Sequence, residues 1–192
     1  MTGLPVLPKR VSLAALQAYV RDIVVARGFT QDLDRVFILT VEELGELAEL
    51  LEGKAAPGIE LEKLGAELAD VALYLADLAN GFGIGLDAAL RASPPWDARQ
   101  VPDGAGLDDW QAAAPALPQS HLVSSVPRMV TAAGDVARAV RKRWSGRGND
   151  APSGPLARLF GEVLRIACIC GIDLARAIED KERENARRIW TY

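Results

Sequence analysis

The stretch 42-EELGELAELLE-52 decides the fold class of this chain, because its glutamates are set among leucines at the spacing of an α-helix. Apolar residues recur every three or four positions through most of the sequence, and the alternation typical of a β-strand is hard to find. This periodicity predicts helices at about 13–28, 34–51, 60–80, 86–92, 124–144, 155–170 and 173–190. We therefore expect an all-α protein, built as a helical bundle.

Within the helix at 34–51, the glutamates divide between the solvent side and the border of the apolar face. At about 100° per residue, Glu43 and Glu46 lie along that border, whereas Glu42 and Glu49 point to the opposite side. The middle of the apolar face consists of Phe37, Thr40, Leu44, Leu47 and Leu51. The stretch thus combines a solvated face with one pair of carboxylates at the edge of the core.

The helix at 60–80 repeats this arrangement with Glu67 and Asp70, again three residues apart. Antiparallel packing of the two helices through the short connection 53–60 would bring the two acidic pairs together. Four converging carboxylates repel one another, and an oxygen-only ligand set suits Mg²⁺, or alternatively Mn²⁺. Two interpretations stay open from the residues alone: a solvated acidic helix face, which is common at this spacing, and a metal site.

Length and composition exclude several classes of function. A chain of 192 residues is long enough for one domain or for two fused small units. The net charge of −4 argues against nucleic acid or a membrane surface as a partner, since both recruit basic patches. The two cysteines, Cys168 and Cys170, offer no disulfide framework and no metal-ligand spacing. No segment resembles a signal peptide or a membrane span, so we expect a cytoplasmic protein.

Two segments of the first half recur in order in the second half. The segment 83-GIGLDAAL-90 is matched by 171-GIDLARAI-178 at an offset of 88 residues. The segment 45-GELAELL-51 is matched by 134-GDVARAV-140 at an offset of 89 residues. Two matches in order at nearly equal offset favour an internal duplication over chance similarity between helices rich in alanine and leucine.

A fainter similarity between 13-LAALQA-18 and 107-LDDWQA-112 extends the repeat toward the start of each half. Proline and glycine break the composition between the halves. We therefore predict a repeat at 1–92, a linker at 93–119 and a second, degenerate repeat at 120–192. The bundle would be a pseudo-dimer fused in one chain.

The order 43-ELGELAELL-51, 67-ELADVALYLADLA-79 and 83-GIGLDAAL-90 closely resembles the MazG-like all-α nucleoside triphosphate pyrophosphohydrolases. That superfamily also holds the dimeric dUTPases, the dCTP pyrophosphatases and the phosphoribosyl-ATP pyrophosphohydrolases. Its members carry E-x-x-E and E-x-x-D on adjacent antiparallel helices. The resemblance implies a Mg²⁺-dependent enzyme that converts a nucleoside triphosphate, ribo or deoxy, to the monophosphate and pyrophosphate for house-cleaning or pool control.

The resemblance also implies roles for individual residues. The implied metal ligands are Glu43, Glu46, Glu67 and Asp70. Glu43 or Glu46 would also orient or deprotonate the attacking water, and Glu42 would support these ligands from the adjacent position. Relatives assemble as oligomers, so the chain is expected to stand alone as a pseudo-dimer or to form a homodimer. The base, the sugar and the phosphorus that is attacked stay open.

One departure from the family pattern concerns its K-x-x-x-N-x-x-R helix, whose side chains approach the substrate. In the first half this motif is replaced by Ser93, Asp97 and Gln100, with Pro94 breaking the helix. The second half keeps it as Lys181, Asn185 and Arg188, which a helix would place on one face.

The second half has in turn lost the acids. Opposite the four implied ligands stand Ala132, Asp135, Pro155 and Arg158. These complementary losses predict one composite site, with metal ligands from the first half and substrate-binding residues from the second. The alternative for the last helix is a solvated charged face.

Two other functions remain open. The first is hydrolysis of phosphoribosyl-ATP by an enzyme of the same fold. The second is a non-catalytic helical bundle that binds a nucleotide or a partner. This alternative stays open because the second half is degenerate.

Overall fold

The structure, a computed structural model, describes residues 4–52, 60–94, 100–148 and 150–188. Within these ranges the chain forms α-helices and no β-strand, so the all-α prediction is confirmed. The helices are α1 (Leu13–Arg27), α2 (Leu33–Glu52), α3 (Leu61–Phe82), α4 (Leu86–Arg91), α5 (Leu107–Ala112), α6 (Leu122–Trp144), α7 (Ser153–Cys170) and α8 (Leu174–Asn185). No described helix is long and apolar enough to cross a bilayer.

Local chemistry determines where several helices begin and end. At the start of α1 the Ser12 hydroxyl accepts a hydrogen bond from the Ala15 amide at 3.1 Å. Gly28, Gly83 and Gly171 follow α1, α3 and α7 with φ of 69°, 69° and 68°. Because a side chain is strained in this left-handed region, glycine is the residue that allows the chain to turn there.

Helices α2 and α3 pack antiparallel, as the sequence predicted. At one end, a Cβ atom on Gly81 of α3 would overlap the Leu33 side chain, so the glycine permits the close approach of α2. At the other end, the Glu46 and Glu67 carboxylates lie side by side. The connection between the helices, residues 53–59 with Lys54, lies outside the described part of the chain.

The segment 93–119, which we expected to be a linker, contributes a helix to the core. Helix α5 lies within it, and both Leu107 and Trp110 are fully buried. The Arg91 guanidinium stacks on the Trp110 ring at 5.3 Å from its centroid. A six-residue helix spans fewer than two turns, so its periodicity is too short to separate it from a loop. Residues 95–99, with Asp97, lie outside the described part of the chain.

Two glutamine side chains bind two loops in the same way, Gln17 the loop that follows α3 and Gln111 the loop that follows α7. Each glutamine amide donates to one loop carbonyl, and its oxygen accepts from a backbone amide two residues later. The bonds join Gln17 to Ile84 and Leu86 at 2.7 and 2.9 Å, and Gln111 to Ile172 and Leu174 at 2.8 and 3.0 Å.

Helix packing is reciprocal between the two halves. Helix α2 packs on α3 and α6 on α7, whereas α8 packs on α3 and α4 on α7. Contacts of α2 with α6 and of α3 with α7 join the halves. The last helix of the chain therefore lies against the helix that carries Glu67 and Asp70.

Candidate functional site

Three carboxylates from α2 and α3 form a tight acidic cluster. Oxygen atoms of Glu43, Glu46 and Glu67 all lie within 4.8 Å of one another. Glu43 and Glu67 are half-buried, and Glu46 is exposed. The Oε2 atom of Glu67 is buried and has no hydrogen-bond partner among the described residues. Such an orphaned oxygen inside a group of carboxylates suits a hard cation that takes oxygen ligands.

Electrostatic repulsion in the cluster appears in its proton affinities. Burial, followed by the charges of Asp70, Glu46 and Glu67, raises the pKa of Glu43 to about 7 against the opposing effect of Lys181. Burial, followed by the charge of Asp70, also raises the pKa of Glu67. With a raised pKa, Glu43 and Glu67 therefore bind protons more tightly than free carboxylates do, and a cation could replace those protons.

Asp70 is turned toward α8 rather than into the three-carboxylate group. Its carboxylate forms an ion pair with Lys181, and the two side chains are only 14% and 10% exposed. Burial works to lower the pKa of Lys181, but the bond to Asp70 and the charges of Asp70 and Glu67 outweigh it and raise that pKa. Lys181 thus stays charged and supplies a cation at the edge of the acidic cluster.

A cavity of about 750 Å³ opens beside this ion pair, bounded by residues of α1, α2, α3 and α8. Most of its lining is apolar, and the volume falls within the range of small-molecule sites. Four of the residues singled out from the sequence line it: Glu43, Asp70, Asn185 and Arg188. The structure therefore brings predicted residues of both halves around one cavity.

A buried network centred on Glu182, which no sequence pattern indicated, lies at the wall of this cavity. The carboxylate of Glu182 accepts from the Tyr19 hydroxyl and from Asn185 Nδ2 at 3.0 Å, and it lies 3.1 Å from Arg27 Nη2. The Arg27 and Glu182 side chains are 7% and 8% exposed. Burial, and then Glu182, raise the pKa of Tyr19 far above its ordinary value. No spacing in the sequence links Glu182 to α1, so only the folded chain reveals the network.

The network determines which atoms of Asn185 remain available. Its Nδ2 atom donates to Glu182, while its buried Oδ1 atom has no hydrogen-bond partner among the described residues. Asn185 lines the cavity and is 7% exposed. It therefore offers a hydrogen-bond acceptor to the cavity.

Asp77 is a second cavity residue that the sequence analysis passed over. It follows Asp70 by seven residues, which places it two turns further along the same face of α3. Burial raises the pKa of Asp77 to about 6. In the described part of the chain it has no hydrogen-bond or ion-pair partner. The i, i+7 spacing from Asp70 was the signal that could have identified it.

Arg188 lies in a different position from the one that the sequence predicted, whereas Glu42 faces solvent as expected. Helix α8 ends at Asn185, so Arg188 is not a helical residue. The chain tightens there into i to i+3 turns, with Arg188 N donating to Asn185 O at 3.2 Å. Arg188 nevertheless lines the cavity and pairs with Glu184 at 2.5 Å. Glu42 is exposed to solvent beside the cluster.

The corresponding positions of the second half hold a salt bridge and apolar packing. Asp135 pairs with Arg158 at 2.5 Å and also with Arg138. Ala132 is buried, and Pro155 lies in the first turn of α7.

Comparison with protein-family models, with curated proteins and with solved structures found no match to this chain. The likeness to the MazG-like enzymes therefore rests on the sequence motifs quoted above.

Proposed function

We propose that the protein is a MazG-like pyrophosphohydrolase, which uses Mg²⁺ or Mn²⁺ to convert a nucleoside triphosphate, ribo or deoxy, to the monophosphate and pyrophosphate. The observation that carries this proposal is the grouping of Glu43, Glu46 and Glu67 oxygens within 4.8 Å, with Glu43 also lining the large cavity. Carboxylates beside a small-molecule cavity are the setting that phosphoanhydride hydrolysis requires.

The donor set fits a hard divalent cation. All three side chains of the cluster offer carboxylate oxygens, and one of these, Glu67 Oε2, is buried without a partner. When bound, Mg²⁺ would neutralise these carboxylates, polarise phosphate oxygens and lower the pKa of water. Asp70 would join the ligands by exchanging its bond to Lys181 for the metal.

The residues in and beside the cavity would have different roles in the proposed reaction. Glu43 belongs to both the cluster and the cavity wall, which supports Glu43 over Glu46 as the glutamate that would accept a proton from the attacking water. Lys181 and Arg188 would neutralise charge on the phosphates. Asn185 presents its free Oδ1 atom, which suits an N–H or O–H group of the nucleoside better than a phosphate oxygen.

We further infer that the chain is a duplicated pseudo-dimer with a single composite site. The matching glutamine bonds at Gln17 and Gln111 support this inference, as does the reciprocal packing of α8 on α3 and α4 on α7. In this arrangement the first half would contribute the metal ligands and the second half the cations.

The test is pyrophosphate release from a panel of canonical and modified NTPs and dNTPs with phosphoribosyl-ATP, in the presence of Mg²⁺ or Mn²⁺. We expect release by the wild type and a loss of about 100-fold or more in Glu46→Gln, because a ligand carboxylate becomes a neutral amide. Glu49→Gln, an exposed glutamate one turn away on α2, is the matched control and should retain activity. Absence of pyrophosphate release from every substrate, together with absence of metal binding, would overturn the proposal.

The same panel separates the alternatives. Release from phosphoribosyl-ATP alone would assign the narrower activity within the same fold. Nucleotide binding that is saturable but never followed by hydrolysis would assign the non-catalytic bundle.

A further inference from the structure

A second cavity, of about 410 Å³, lies between α6 and α7 and takes no part in the proposed reaction. Its charged lining consists of Arg128, Arg158, Glu162 and Arg165, with Thr131 beside them. The offset of 88 residues that relates α3 to α7 sets Arg158 opposite Asp70 and Arg165 opposite Asp77. The second cavity is thus the counterpart of the first, with two of its acids replaced by bases.

The inner part of this lining is an ion-pair cluster around Glu162. Arg128 donates to both carboxylate oxygens of Glu162, at 2.9 and 3.1 Å, and Arg165 pairs with the same carboxylate. The Glu162 and Arg165 side chains are only 4% and 13% exposed. One buried carboxylate therefore faces two guanidinium groups.

At the outer side of the cavity, two arginines again pair with one carboxylate, that of Asp135. Both Arg158 and Arg138 pair with Asp135, whose side chain is 23% exposed. In the described part of the chain, Arg158 has Asp135 as its only hydrogen-bonding or ionic partner, although a guanidinium carries five N–H donors. Among the described residues this region therefore holds four guanidinium groups and two carboxylates, and Arg158 has N–H donors for which no described residue is an acceptor.

Fold stability does not require this charge. Well-packed apolar side chains of similar volume usually match or exceed a buried ion pair in stability, because burial removes water from both charges. A site that had simply lost its acids would therefore be expected to fill with apolar residues. An open cavity with surplus guanidinium groups instead has the composition of an anion site.

We propose that this second cavity binds a phosphate dianion carried by a small organic molecule, and that it does so without a metal ion. Two surplus positive charges match the charge of a phosphate monoester, and guanidinium groups bind phosphate oxygens through paired N–H donors. The cavity exceeds the size of a phosphate group and falls within the range of small-molecule sites. The proposal is independent of the hydrolase activity, because it uses none of the residues of the acidic cluster.

The experiment is a calorimetric titration of the full chain with inorganic phosphate and with pyrophosphate, in a buffer that contains EDTA. Without metal, the acidic cluster of the first cavity repels these anions, so binding there is suppressed. We expect one site per chain, and a Kd that rises about tenfold in Arg158→Gln. Arg158→Lys keeps the positive charge and should lose less affinity for the anions. Arg176→Gln, at an exposed arginine on α8, should bind them as the wild type does.

Several outcomes would overturn the proposal. One is the absence of binding at millimolar anion. Another is a loss of binding in Lys181→Met with retention in Arg158→Gln, which would place the anion in the first cavity. An equal loss in Arg158→Gln and Arg176→Gln would show non-specific attraction to positive charge. The melting temperature of every variant is measured as a control for folding. If Arg158→Gln is destabilised, Arg158→Lys takes its place in the titrations. An affinity of Arg158→Lys for phosphate and pyrophosphate equal to that of the wild type would then count against the site.

Discussion

The Lys181 ammonium on α8 forms an ion pair with the Asp70 carboxylate on α3, and neither side chain is more than 14% exposed. The two residues lie in opposite halves of the chain, so the pair links those halves at the edge of the acidic cluster. The charge of Lys181 opposes the rise in pKa that burial and mutual repulsion cause at Glu43, Glu67 and Asp70.

Replacement of Lys181 should therefore destabilise the protein. Lys181→Met keeps most of the side-chain volume but leaves Asp70 without its partner, and we expect a loss of about 2–4 kcal/mol in the free energy of unfolding at pH 8. Urea denaturation of the metal-free protein measures this loss. Lys9→Met, at an exposed lysine that precedes α1, is the control and should change stability little. Equal stability of the two variants would show that the ion pair contributes nothing.

Divalent metal should stabilise the folded chain. Mg²⁺ or Mn²⁺ bound by Glu43, Glu46 and Glu67 would relieve their repulsion only in the folded state, so saturating metal should raise the melting temperature by about 5 °C or more. EDTA should reverse this shift. Thermal melts of Glu46→Gln should show little response to metal, and those of Glu49→Gln should respond like the wild type. An equal response in both variants would place metal binding elsewhere.

The pH dependence of stability should reflect Asp77. Burial raises the pKa of Asp77 in the folded chain to about 6, above its value of 3.8 in the unfolded chain. Between these two pH values Asp77 loses its proton in the unfolded chain and keeps it in the folded chain. The free energy of unfolding therefore falls as pH rises, and the loss is complete above about pH 6. Because the side chain is partly solvated, we expect a penalty on the order of 1 kcal/mol.

Asp77→Asn removes this penalty. The variant should be more stable than the wild type at pH 8 and equal to it near pH 4, as measured by urea denaturation at both pH values. Asp22→Asn, an exposed aspartate on α1, should show no such difference. A stability gain that is the same at both pH values would have a cause other than ionisation.

The network around Glu182 should be important for the position of α8. Glu182→Gln leaves the buried guanidinium of Arg27 without its counter-charge, and we expect a loss of about 3 kcal/mol. Tyr19→Phe removes one of the three partners of Glu182 and should cost about 1–2 kcal/mol. Chemical denaturation measures both, with the exposed Asp180→Asn as the control. If Glu182→Gln were as stable as Asp180→Asn, the network would not hold α8 on α1.

The two glutamine side chains that bind equivalent loops provide a test of the duplication. Gln17→Ala and Gln111→Ala each remove two hydrogen bonds to the loop backbone and should each cost about 1–3 kcal/mol. The losses should be similar and additive in the double variant, because the two sites lie in different halves. Denaturation curves of the single and double variants measure this. A large loss in one and none in the other would show that the loops are not equivalent.

Helix number and helix limits could largely be predicted from periodicity, because an amphipathic helix of several turns repeats its apolar residues many times. The limits of α1 and α3 follow from Ser12, Gly28 and Gly83, whose effects are local. The exceptions are α5, which has too few turns for a repeat, and the end of α8, where the chain changes to i to i+3 turns.

The sequence by itself determined the all-α class and the pairs Glu43 with Glu46 and Glu67 with Asp70, because i, i+3 spacing on a helix is a property of the local backbone. Only the tertiary structure decided that Asp70 pairs with Lys181, that Glu182 joins Tyr19 and Arg27, and that three arginines line a second cavity between α6 and α7. Those contacts join residues far apart in the chain, and their energies depend on burial and on neighbouring charge. No local pattern encodes either quantity, so the chemistry of both cavities became visible only when the helices were packed.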